Sequence, residues 1–369
     1  MSIDPFSFAD DLGPEKVIHI YDPATGLKAV LVVDNVAAGP AIGGIRIAPD
    51  VTVEECYRLA RAMTLKNAMA GLAHGGGKSV IIGDPRAPAE EKARLVRSFA
   101  RAIAQIEDYI PGPDMGTNET SMAQVKDLIG RAVGLPREVG GIPLDEIGAT
   151  GFGISVALEA AQDHGNYQLS GARVVVQGFG SVGMHAARFL AEKGATLVGV
   201  SDSRGARTCP GGFTLDRLID FKRTGGSVSE FDEGEAVDGA DLVGVDCEVW
   251  IPAARPDVLR ADNVKTMRAK VIAQGANIPA TPEAEALLAE MSILVLPDFV
   301  ANAGGVICAA VEYHQGSEAQ ALTTIEDKIG TNIVAVLERA VADKLLPRHA
   351  ALAIARDRIA TAMTFRRTF

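Results

Sequence analysis

The sequence predicts a two-domain α/β fold, and three observations support this prediction. Short apolar strands alternate with helical segments from residue 173 to residue 296, which is typical of a parallel sheet built from strand–helix–strand units. A glycine-rich turn at 178–183 follows a β-branched strand and precedes an amphipathic helix, as in Rossmann-type domains. The chain of 369 residues also exceeds the length at which one hydrophobic core usually keeps growing. The predicted parallel strands span 173–177, 196–201, 248–251, 270–273 and 293–296.

The N-terminal part predicts a β-hairpin followed by helices. Two β-type runs, "KVIHIY" and "LKAVLVVD", are joined by turn residues at 22–26. Apolar residues at helical spacing predict helices over about 52–72 and 87–106, with a short strand at 80–82 between them. These elements are expected to form a domain separate from the strand–helix repeats.

The predicted boundary between the domains lies near Gly148, where a loop leads into a helix of small residues. Residues 1–147 are therefore expected to form a substrate domain, and residues 148–331 a dinucleotide-binding domain. The pattern after Gly316 is wholly helical, with apolar residues on one face. We expect residues 332–369 to return to the first domain and complete it, with the functional site in the cleft between the domains.

Composition excludes several classes of partner. The net charge of -11 and pI near 5.1 argue against a nucleic-acid or anionic-membrane partner, since these recruit clustered Lys and Arg. No run approaches the ~20 apolar residues of a membrane span, and no signal peptide is visible. The four cysteines form no C-x-x-C pair and the histidines show no metal-ligand spacing, so we expect reduced thiols, a cytoplasmic location and no metal site.

The run "AGLAHGGGKSVIIGD" at 70–84 superficially resembles a phosphate-binding P-loop, but it does not fit that motif. The pattern G-x-x-x-x-G-K-[ST] needs glycine five positions before Gly77, where this chain has Leu72. A P-loop also follows a strand and opens a helix, whereas here a helical segment precedes a β-branched run. Nucleotide triphosphate binding is therefore rejected at this run, and its lysine needs another explanation.

The segment "RVVVQGFGSVGMHAARFL" predicts a dinucleotide site. In its G-x-G-x-x-G pattern, Gly178 makes a tight turn, Gly180 admits the pyrophosphate and Gly183 allows close helix packing. The following strand ends at Asp202, which is placed to accept hydrogen bonds from the adenosine ribose. A 2′-phosphate there would meet a carboxylate, which favours NAD, although the neighbouring Arg204 leaves NADP possible.

Polar residues at loops and on the glycine run are further candidates. Asn277 and Asn302 lie in loops at the ends of predicted strands, where ligands bind in open parallel sheets. Lys66 and Lys78 flank a weakly polar segment that a cleft could enclose. A lysine beside a second cation in a partly dry cleft loses preference for its ammonium form, so Lys78 is expected to act as a base near neutrality. Asp114 lies in a Pro- and Gly-rich loop, and could equally be a turn residue.

These residues together resemble the glutamate, leucine, phenylalanine and valine dehydrogenases. The matching segments are "GPAIGGIRI", "LARAMTLKNAMAGLAHGGGKSVIIGDP", "GPDMGTN", "ATGFG", "QGFGSVG", "GAN" and "PDFVANAGGV", which together cover nearly all of the chain. The resemblance implies NAD-dependent interconversion of an L-amino acid and its 2-oxo acid with release of ammonia. It also implies a homo-oligomer.

The resemblance assigns a role to each candidate residue. It implies that Lys66 binds the substrate α-carboxylate, that Lys78 is the catalytic lysine and that Asp114 shuttles protons. The residues it places at the substrate are Ile42, Gly43, Met63, Asn302 and Ala309. The residues it places at the cofactor are Thr150, Gly178, Gly180, Ser181, Val182, Gly183, Asp202 and Asn277.

Two departures from the glutamate-specific members bear on the substrate. Those members have a lysine where this chain has Ile42, and a serine where it has Ala309. An unpaired buried carboxylate costs several kcal/mol, so glutamate is expected to be a poor substrate. Ile42, Met63 and Ala309 instead suggest an apolar pocket for a branched-chain or aromatic amino acid. Two alternatives stay open: a glutamate dehydrogenase with an atypical carboxylate anchor, and a dinucleotide-binding regulator without turnover.

Overall fold

A computed structural model describes residues 6–366 and divides the chain into two compact units. The first contains the residues up to 144, together with 306–321 and those from 352 onward. The second contains 145–305 and 322–351. The boundary thus falls close to the predicted one at Gly148. The segments that return to the first unit differ from the predicted 332–369, because the chain between 322 and 351 packs with the second unit.

A five-stranded sheet forms the centre of the first unit. Its strands are β1 (Lys16–Asp22), β2 (Leu27–Asn35), β3 (Ala41–Ala48), β4 (Gly75–Ile82) and β5 (Tyr109–Pro113). Their spatial order is β1-β2-β4-β3-β5. Strand β2 is antiparallel to both β1 and β4, and β3 is parallel to both β4 and β5. The hairpin β1–β2 was predicted. Strands β3 and β5 were not, because "AIGGIRIA" and "YIPGP" carry glycine and proline, which are rare in strands.

Helices cover both faces of this sheet. Helices α1 (Val53–Met69), α2 (Ala89–Ala102) and α3 (Glu119–Ile129) alternate with its later strands. The apolar face of α2 and α3 packs on one side, around the fully buried Phe99 and Tyr109. Helix α1 packs on the other side, where Cys56 and Ala60 meet Val80. The inner strands β2, β3 and β4 therefore bury residues on both faces of the sheet.

The glycine run at 75–77 forms the start of strand β4. A Cβ on Gly75 would lie 1.7 Å from the carbonyl oxygen of Asn35, and one on Gly76 would lie 2.0 Å from the backbone nitrogen of Thr64. No side chain fits at these distances, so the glycines allow α1 and β2 to approach the strand. The chain reversal itself is made by Gly71, whose φ of 64° is in the left-handed region.

The second unit contains the predicted parallel sheet. Its order is β12-β11-β10-β6-β7-β8-β9. The strands are β6 (Arg173–Gln177), β7 (Thr196–Asp202), β8 (Gly205–Thr208), β9 (Glu235–Val237), β10 (Val249–Pro252), β11 (Val271–Ala273) and β12 (Leu294–Leu296). All five predicted strands are present and parallel, whereas β8 and β9 form an unpredicted antiparallel extension. The helices of this part are α4 (Ala149–Ala160), α5 (Gln162–Gly165), α6 (Ser181–Glu192), α7 (Leu215–Arg223), α8 (Pro282–Glu290) and α9 (Asp298–Ala301).

The C-terminal region is helical, as predicted after Gly316. It comprises α10 (Gly304–Tyr313), α11 (Glu318–Asp343) and α12 (Pro347–Thr364). Glu312 ties the end of α10 to the first unit, since its buried carboxylate accepts hydrogen bonds from the backbone nitrogens of Leu135 and Ile142 at 3.2 and 2.8 Å. Between residues 6 and 366, no helix combines the length and apolar character needed to cross a bilayer.

Gly76→Ala is expected to destabilise the first unit strongly. Its new Cβ would overlap the backbone of α1 at Thr64, and overpacking of this kind typically costs about 1–3 kcal/mol. Thermal or urea unfolding measures the loss. Gly211→Ala is the matched control, since a Cβ there would meet nothing within 4 Å. Equal stability of the two variants would show that the strand and α1 are not in close contact.

Candidate functional site

Lys78 and Asp114 meet on one face of the first sheet. Lys78 lies within β4 with 7% of its side chain exposed, and its Nζ donates a hydrogen bond to Oδ2 of Asp114, directly after β5. Strand β3 lies between β4 and β5, and passes beneath the pair at Gly44. A Cβ on Gly44 would lie 2.8 Å from Cβ of Asp114 and 3.2 Å from Nζ of Lys78. Glycine at this position therefore allows the two side chains to meet across the middle strand.

Arg46 joins this pair, although the sequence did not single it out. Its Nε donates to Oδ2 of Asp114 at 3.3 Å, and its Nη1 donates to Oε1 of Glu55 on α1 at 2.6 Å. The backbone nitrogen of Met115 donates to the other carboxylate oxygen at 2.7 Å. Burial raises the pKa of Asp114, but the charge of Lys78, its hydrogen bond and Arg46 outweigh burial and lower it below its ordinary value. Asp114 is thus held as an oriented carboxylate.

The partner of Lys78 differs from the one that the sequence argument used. That argument set Lys78 beside a second cation, whereas the structure gives it the Asp114 carboxylate. Lys66 lies in the last turn of α1 and is half-buried. The end of that helix is fixed to the start of β4, because Asn67 donates to the carbonyl of Gly75 at 2.7 Å. Both lysines therefore lie on elements that contact each other in the first unit.

The predicted apolar positions also belong to the first unit. Ile42 has 3% exposure and pairs with Gly76 of β4 on one side and Ile110 of β5 on the other. Since alternate strand residues share a face, Ile42 points to the same side of the sheet as Gly44 and Arg46. Its strand partners Gly76 and Ile110 carry no charge, and Thr64 of α1 fills the space above Gly76. 

The other three predicted substrate residues of the first unit are Gly43, Met63 and Ala309, and no side-chain hydrogen bond is described for them. A Cβ on Gly43 would lie 1.7 Å from the carbonyl oxygen of Gly77, so only glycine fits there, and its own carbonyl accepts the Tyr109 hydroxyl at 2.8 Å. Met63 is half-buried on α1, and Ala309 is buried on α10. Gly43 therefore packs the sheet, while the substrate contacts expected of Met63 and Ala309 stay predictions.

The glycine-rich turn of the second unit has the shape that a dinucleotide needs. Gly178 has φ of 96°, and a Cβ there would lie 2.7 Å from the backbone nitrogen of Ala254. A Cβ on Gly183 would lie 2.2 Å from the carbonyl of Gly178, so the helix packs tightly on the turn. Around Gly180 a Cβ would meet nothing within 4 Å, which leaves open space at the N-terminus of α6. These features fit a pyrophosphate on the helix N-terminus, next to the exposed Ser181 and half-exposed Val182. 

The polar residues Thr150, Asn277 and Asn302 come together in the second unit. The Asn302 side chain donates to the carbonyl of Gly275 at 3.2 Å and to Oδ1 of Asn277 at 3.0 Å. Asn302 ends helix α9 rather than lying in the predicted open loop. A Cβ on Gly305 would lie 3.3 Å from the Thr150 hydroxyl, so the starts of α4 and α10 are close. Three sequence motifs therefore converge at one end of the parallel sheet.

Asp202 lies at the end of β7, as predicted, but its carboxylate already has several protein donors. Lys222 donates to it at 2.6 Å, and the Ser227 hydroxyl and the backbone nitrogens of Val228 and Arg204 donate at 3.0, 2.8 and 2.9 Å. Burial raises its pKa, and these donors outweigh burial and lower the pKa to about 2. The sequence did not indicate this network, since Lys222, Ser227 and Val228 lie 20 to 26 residues further along the chain.

Comparison with known proteins identifies the family. The chain belongs to the glutamate/leucine/phenylalanine/valine dehydrogenases: residues 14–130 match their dimerisation domain, and residues 140–367 match the main dehydrogenase domain. Both parts of the chain are therefore accounted for by one family. The protein is an NAD-dependent L-amino acid dehydrogenase, an oxidoreductase that acts on CH–NH2 groups.

The similar proteins include glutamate dehydrogenases and one tryptophan dehydrogenase. The chain is 36% identical to the NAD-specific glutamate dehydrogenase of Staphylococcus aureus, covering 90% of this chain and 84% of that protein. The hetero-hexameric glutamate dehydrogenase of Thermus thermophilus, in its Leu-bound form, has a TM-score of 0.84 at 30% identity, covering 96% of this chain and 91% of that one. The L-tryptophan dehydrogenase of Nostoc punctiforme has a TM-score of 0.76 at 26% identity, covering 95% and 97%.

Arg46→Met is expected to raise the pKa of Asp114. Asp114 is charged above its lowered pKa, so its carboxylate interactions are lost as pH falls through that value; without Arg46 the loss begins at higher pH. Carboxyl titration by NMR, or the acid limb of kcat/KM against pH, measures the change. Arg58→Met on the exposed side of α1 is the control. An unmoved acid limb would show that Arg46 does not act on Asp114.

Proposed function

We propose that the protein oxidatively deaminates an apolar L-amino acid, branched-chain or aromatic, to its 2-oxo acid with NAD and releases ammonia. The chemistry is inferred from the direct contact between the buried Lys78 and the half-buried Asp114, a proton donor and a proton acceptor. The apolar substrate is inferred from Ile42, which is buried between Gly76 and Ile110 on the sheet face that also holds Lys78.

Three residues of the first unit, Lys66, Lys78 and Asp114, then each have a separate role in the reaction. The ammonium of Lys66 binds the α-carboxylate of the amino acid as a point charge. NAD, when bound, accepts the hydride from Cα, which leaves an iminium on the substrate. Nζ of Lys78 takes a proton from the water that attacks this iminium. The α-ammonium gives one proton to solvent before hydride transfer. Oδ2 of Asp114 receives from Nζ the proton taken from water and delivers it to the amine of the resulting carbinolamine. As the C–N bond breaks and ammonia leaves, Nζ takes the hydroxyl proton, the carbonyl forms, and transfer of that proton to solvent restores both residues.

The second unit holds the cofactor in this scheme. The open space at Gly180 and the start of α6 take the pyrophosphate. Thr150, Asn277 and Asn302 hold the nicotinamide end, where the network of Asn302 and Asn277 fixes two amide groups in place. Hydride transfer depends on this orientation, because misplacement by about 1 Å can cost 100-fold in rate.

The local environment of Ile42 supports an apolar side-chain pocket. Its neighbours across β4 and β5 are Gly76 and Ile110, and Ala309 adds a methyl group rather than a hydroxyl. A γ-carboxylate brought to these residues would gain no cation or donor from them. Leaving such a charge buried and unpaired costs several kcal/mol, whereas one methylene more or less in an apolar pocket changes binding by only about 1–3 kcal/mol.

Glutamate is the second candidate substrate, and the similar proteins favour it. The relative from Thermotoga maritima, 40% identical over 295 residues, is named a glutamate dehydrogenase, as is the one from Staphylococcus aureus. A glutamate enzyme of this sequence would need a carboxylate anchor other than positions 42 and 309. The third reading, a regulator without turnover, is disfavoured by the intact contact of Lys78 with Asp114.

Self-association is part of the proposal. The match of residues 14–130 is to a dimerisation domain, and the similar structure from Thermus thermophilus is hetero-hexameric. We infer that this chain forms a homo-oligomer through the first unit. Light scattering of the purified protein tests this, and a monomer at micromolar concentration would contradict it.

Lys78→Ala is expected to remove deamination while leaving the fold intact. General acid–base groups contribute about 100- to 10,000-fold, so NADH formation followed by absorbance should fall by at least 100-fold. Lys28→Ala, at an exposed position on the neighbouring strand β2, is the matched control. Circular dichroism of both variants confirms folding. Turnover retained by folded Lys78→Ala would disprove the catalytic role.

Ile42→Lys combined with Ala309→Ser is expected to shift the substrate preference toward glutamate. The new ammonium and hydroxyl would pair a γ-carboxylate, and a charge-assisted contact of about 1.5–3 kcal/mol corresponds to roughly 10-fold or more in kcat/KM. Rates with glutamate, leucine, valine and phenylalanine measure the shift, with Ile42→Leu as control. If wild type already prefers glutamate, or the double variant gains nothing, the specificity argument fails.

A further inference from the structure

Two histidines that are far apart in the sequence meet in the first unit. Nε2 of His74 lies 3.2 Å from Nε2 of His314, although 240 residues separate them in the chain. The ring centroids are 5.2 Å apart, so the two nitrogens face each other across the gap between the rings. The expectation of no metal site was based on spacing along the chain, which cannot detect a pair of this kind.

A backbone carbonyl fixes the tautomer of His74. Nδ1 of its ring lies 3.0 Å from the carbonyl oxygen of Pro40, which can only accept, so Nδ1 carries the proton and donates it. Nε2 of the neutral ring then has a free lone pair, and this lone pair faces His314. Histidines that bind metals are commonly oriented by such a hydrogen bond from the other ring nitrogen. His74 therefore has the tautomer of a metal ligand.

Tyr313 packs against both imidazoles, and His314 gives access from solvent. The Tyr313 ring meets the ring of His74 at 5.6 Å and that of His314 at 5.3 Å between centroids, both edge to face. His74 is 2% exposed, whereas His314 is an exposed residue directly after α10. An ion can therefore reach the pair from the side of His314, while the buried partner is held in place.

The distance between the two nitrogens fits a single zinc ion. Bonds from zinc to histidine measure about 2.0–2.1 Å, so two imidazoles on a tetrahedral ion have nitrogens about 3.3 Å apart. The 3.2 Å between His74 and His314 is close to that distance. Imidazole suits zinc, whereas magnesium and calcium prefer oxygen ligands. Among residues 6–366 no third histidine, cysteine or carboxylate joins the pair, so a metal here would need water as its remaining ligands.

Arg358 is the charged neighbour that opposes a cation at this position. It lines the same cavity of about 230 Å3 as His74. Its Nη1 donates to the carbonyl oxygens of Ala68 and Met69 at 3.1 and 2.6 Å, which places the guanidinium at the C-terminus of α1. The negative end of the helix dipole favours a cation there. The charge of Arg358 is therefore partly compensated before an ion binds to the histidines.

We propose that His74 and His314 form a binding site for a zinc ion, with water molecules as the remaining ligands. Without the ion, Nε2–H of His314 donates to the lone pair of His74, and zinc replaces that proton, which passes to solvent. The ion connects the end of α10 to the start of β4 and, through the Pro40 carbonyl, to the start of β3. Neither the amino acid nor the dinucleotide takes part, so this inference is independent of the proposed reaction.

Calorimetric titration of the chelator-treated, full-length protein with Zn2+ tests the proposal. Wild type is expected to bind one Zn2+ per chain, to unfold at a higher temperature in its presence and to respond much less to Mg2+. His314→Gln should weaken Zn2+ binding about 10-fold or more, because its amide can donate to His74 but cannot replace the imidazole ligand. His349→Ala, at an exposed position of α12, is the matched control and should bind Zn2+ as wild type does.

A second measurement needs no variant. Zn2+ should protect His314 of the wild-type protein from modification by diethylpyrocarbonate, read by mass spectrometry, and leave the modification of His349 unchanged. Three results would overturn the proposal. The first is the absence of Zn2+ binding, which would leave the pair as an internal hydrogen bond. The second is equal affinity of wild type and folded His314→Gln, which would place the ion elsewhere. The third is equal protection of His314 and His349, which would indicate nonspecific binding at the surface.

Discussion

The contact of Lys78 with Asp114 is the interaction on which the organisation of the first unit depends. Two residues on strands separated by a third can touch only if the middle strand has no side chain beneath them, and Gly44 meets that condition. Arg46, two residues further along the same strand face, then reaches the same carboxylate. The need to bring these groups together accounts for glycine within a buried strand, where it is otherwise unfavourable.

The need for glycine and proline in the strands around Lys78 and Asp114 explains which elements the sequence could and could not predict. The parallel strands of the second unit were predicted nearly to the residue, because β-branched runs bounded by turns are a strong signal. Strands β3 and β5 of the first unit were missed, since "GGIR" and "YIPGP" replace apolar residues with glycine and proline where the site is built. Local sequence rules fail most often at functional sites, where other constraints decide the residue.

For individual site residues, the sequence predicted the position in the chain better than the hydrogen-bond partners. The positions of Lys78, Asp114 and Asp202 follow from motifs, and the resemblance also linked Lys78 with Asp114, but the side-chain donors to Asp202 were not predicted. Lys222 is 20 residues from Asp202 in the chain, and the separation between Lys78 and Asp114 is 36 residues. Whether a carboxylate is free to bind a ligand or already engaged depends on such distant donors. The sequence therefore predicted where the charges lie, and the structure shows which are compensated.

The central claim is that protons pass between Nζ of Lys78 and Oδ2 of Asp114 during C–N bond cleavage. Asp114→Asn keeps the shape of the side chain and removes its capacity to accept a proton, so steady-state kcat with the best amino acid is the most direct measurement. The account predicts a fall of about 100-fold or more, with NADH affinity unchanged. A variant that folds, binds NADH and retains wild-type kcat would contradict it.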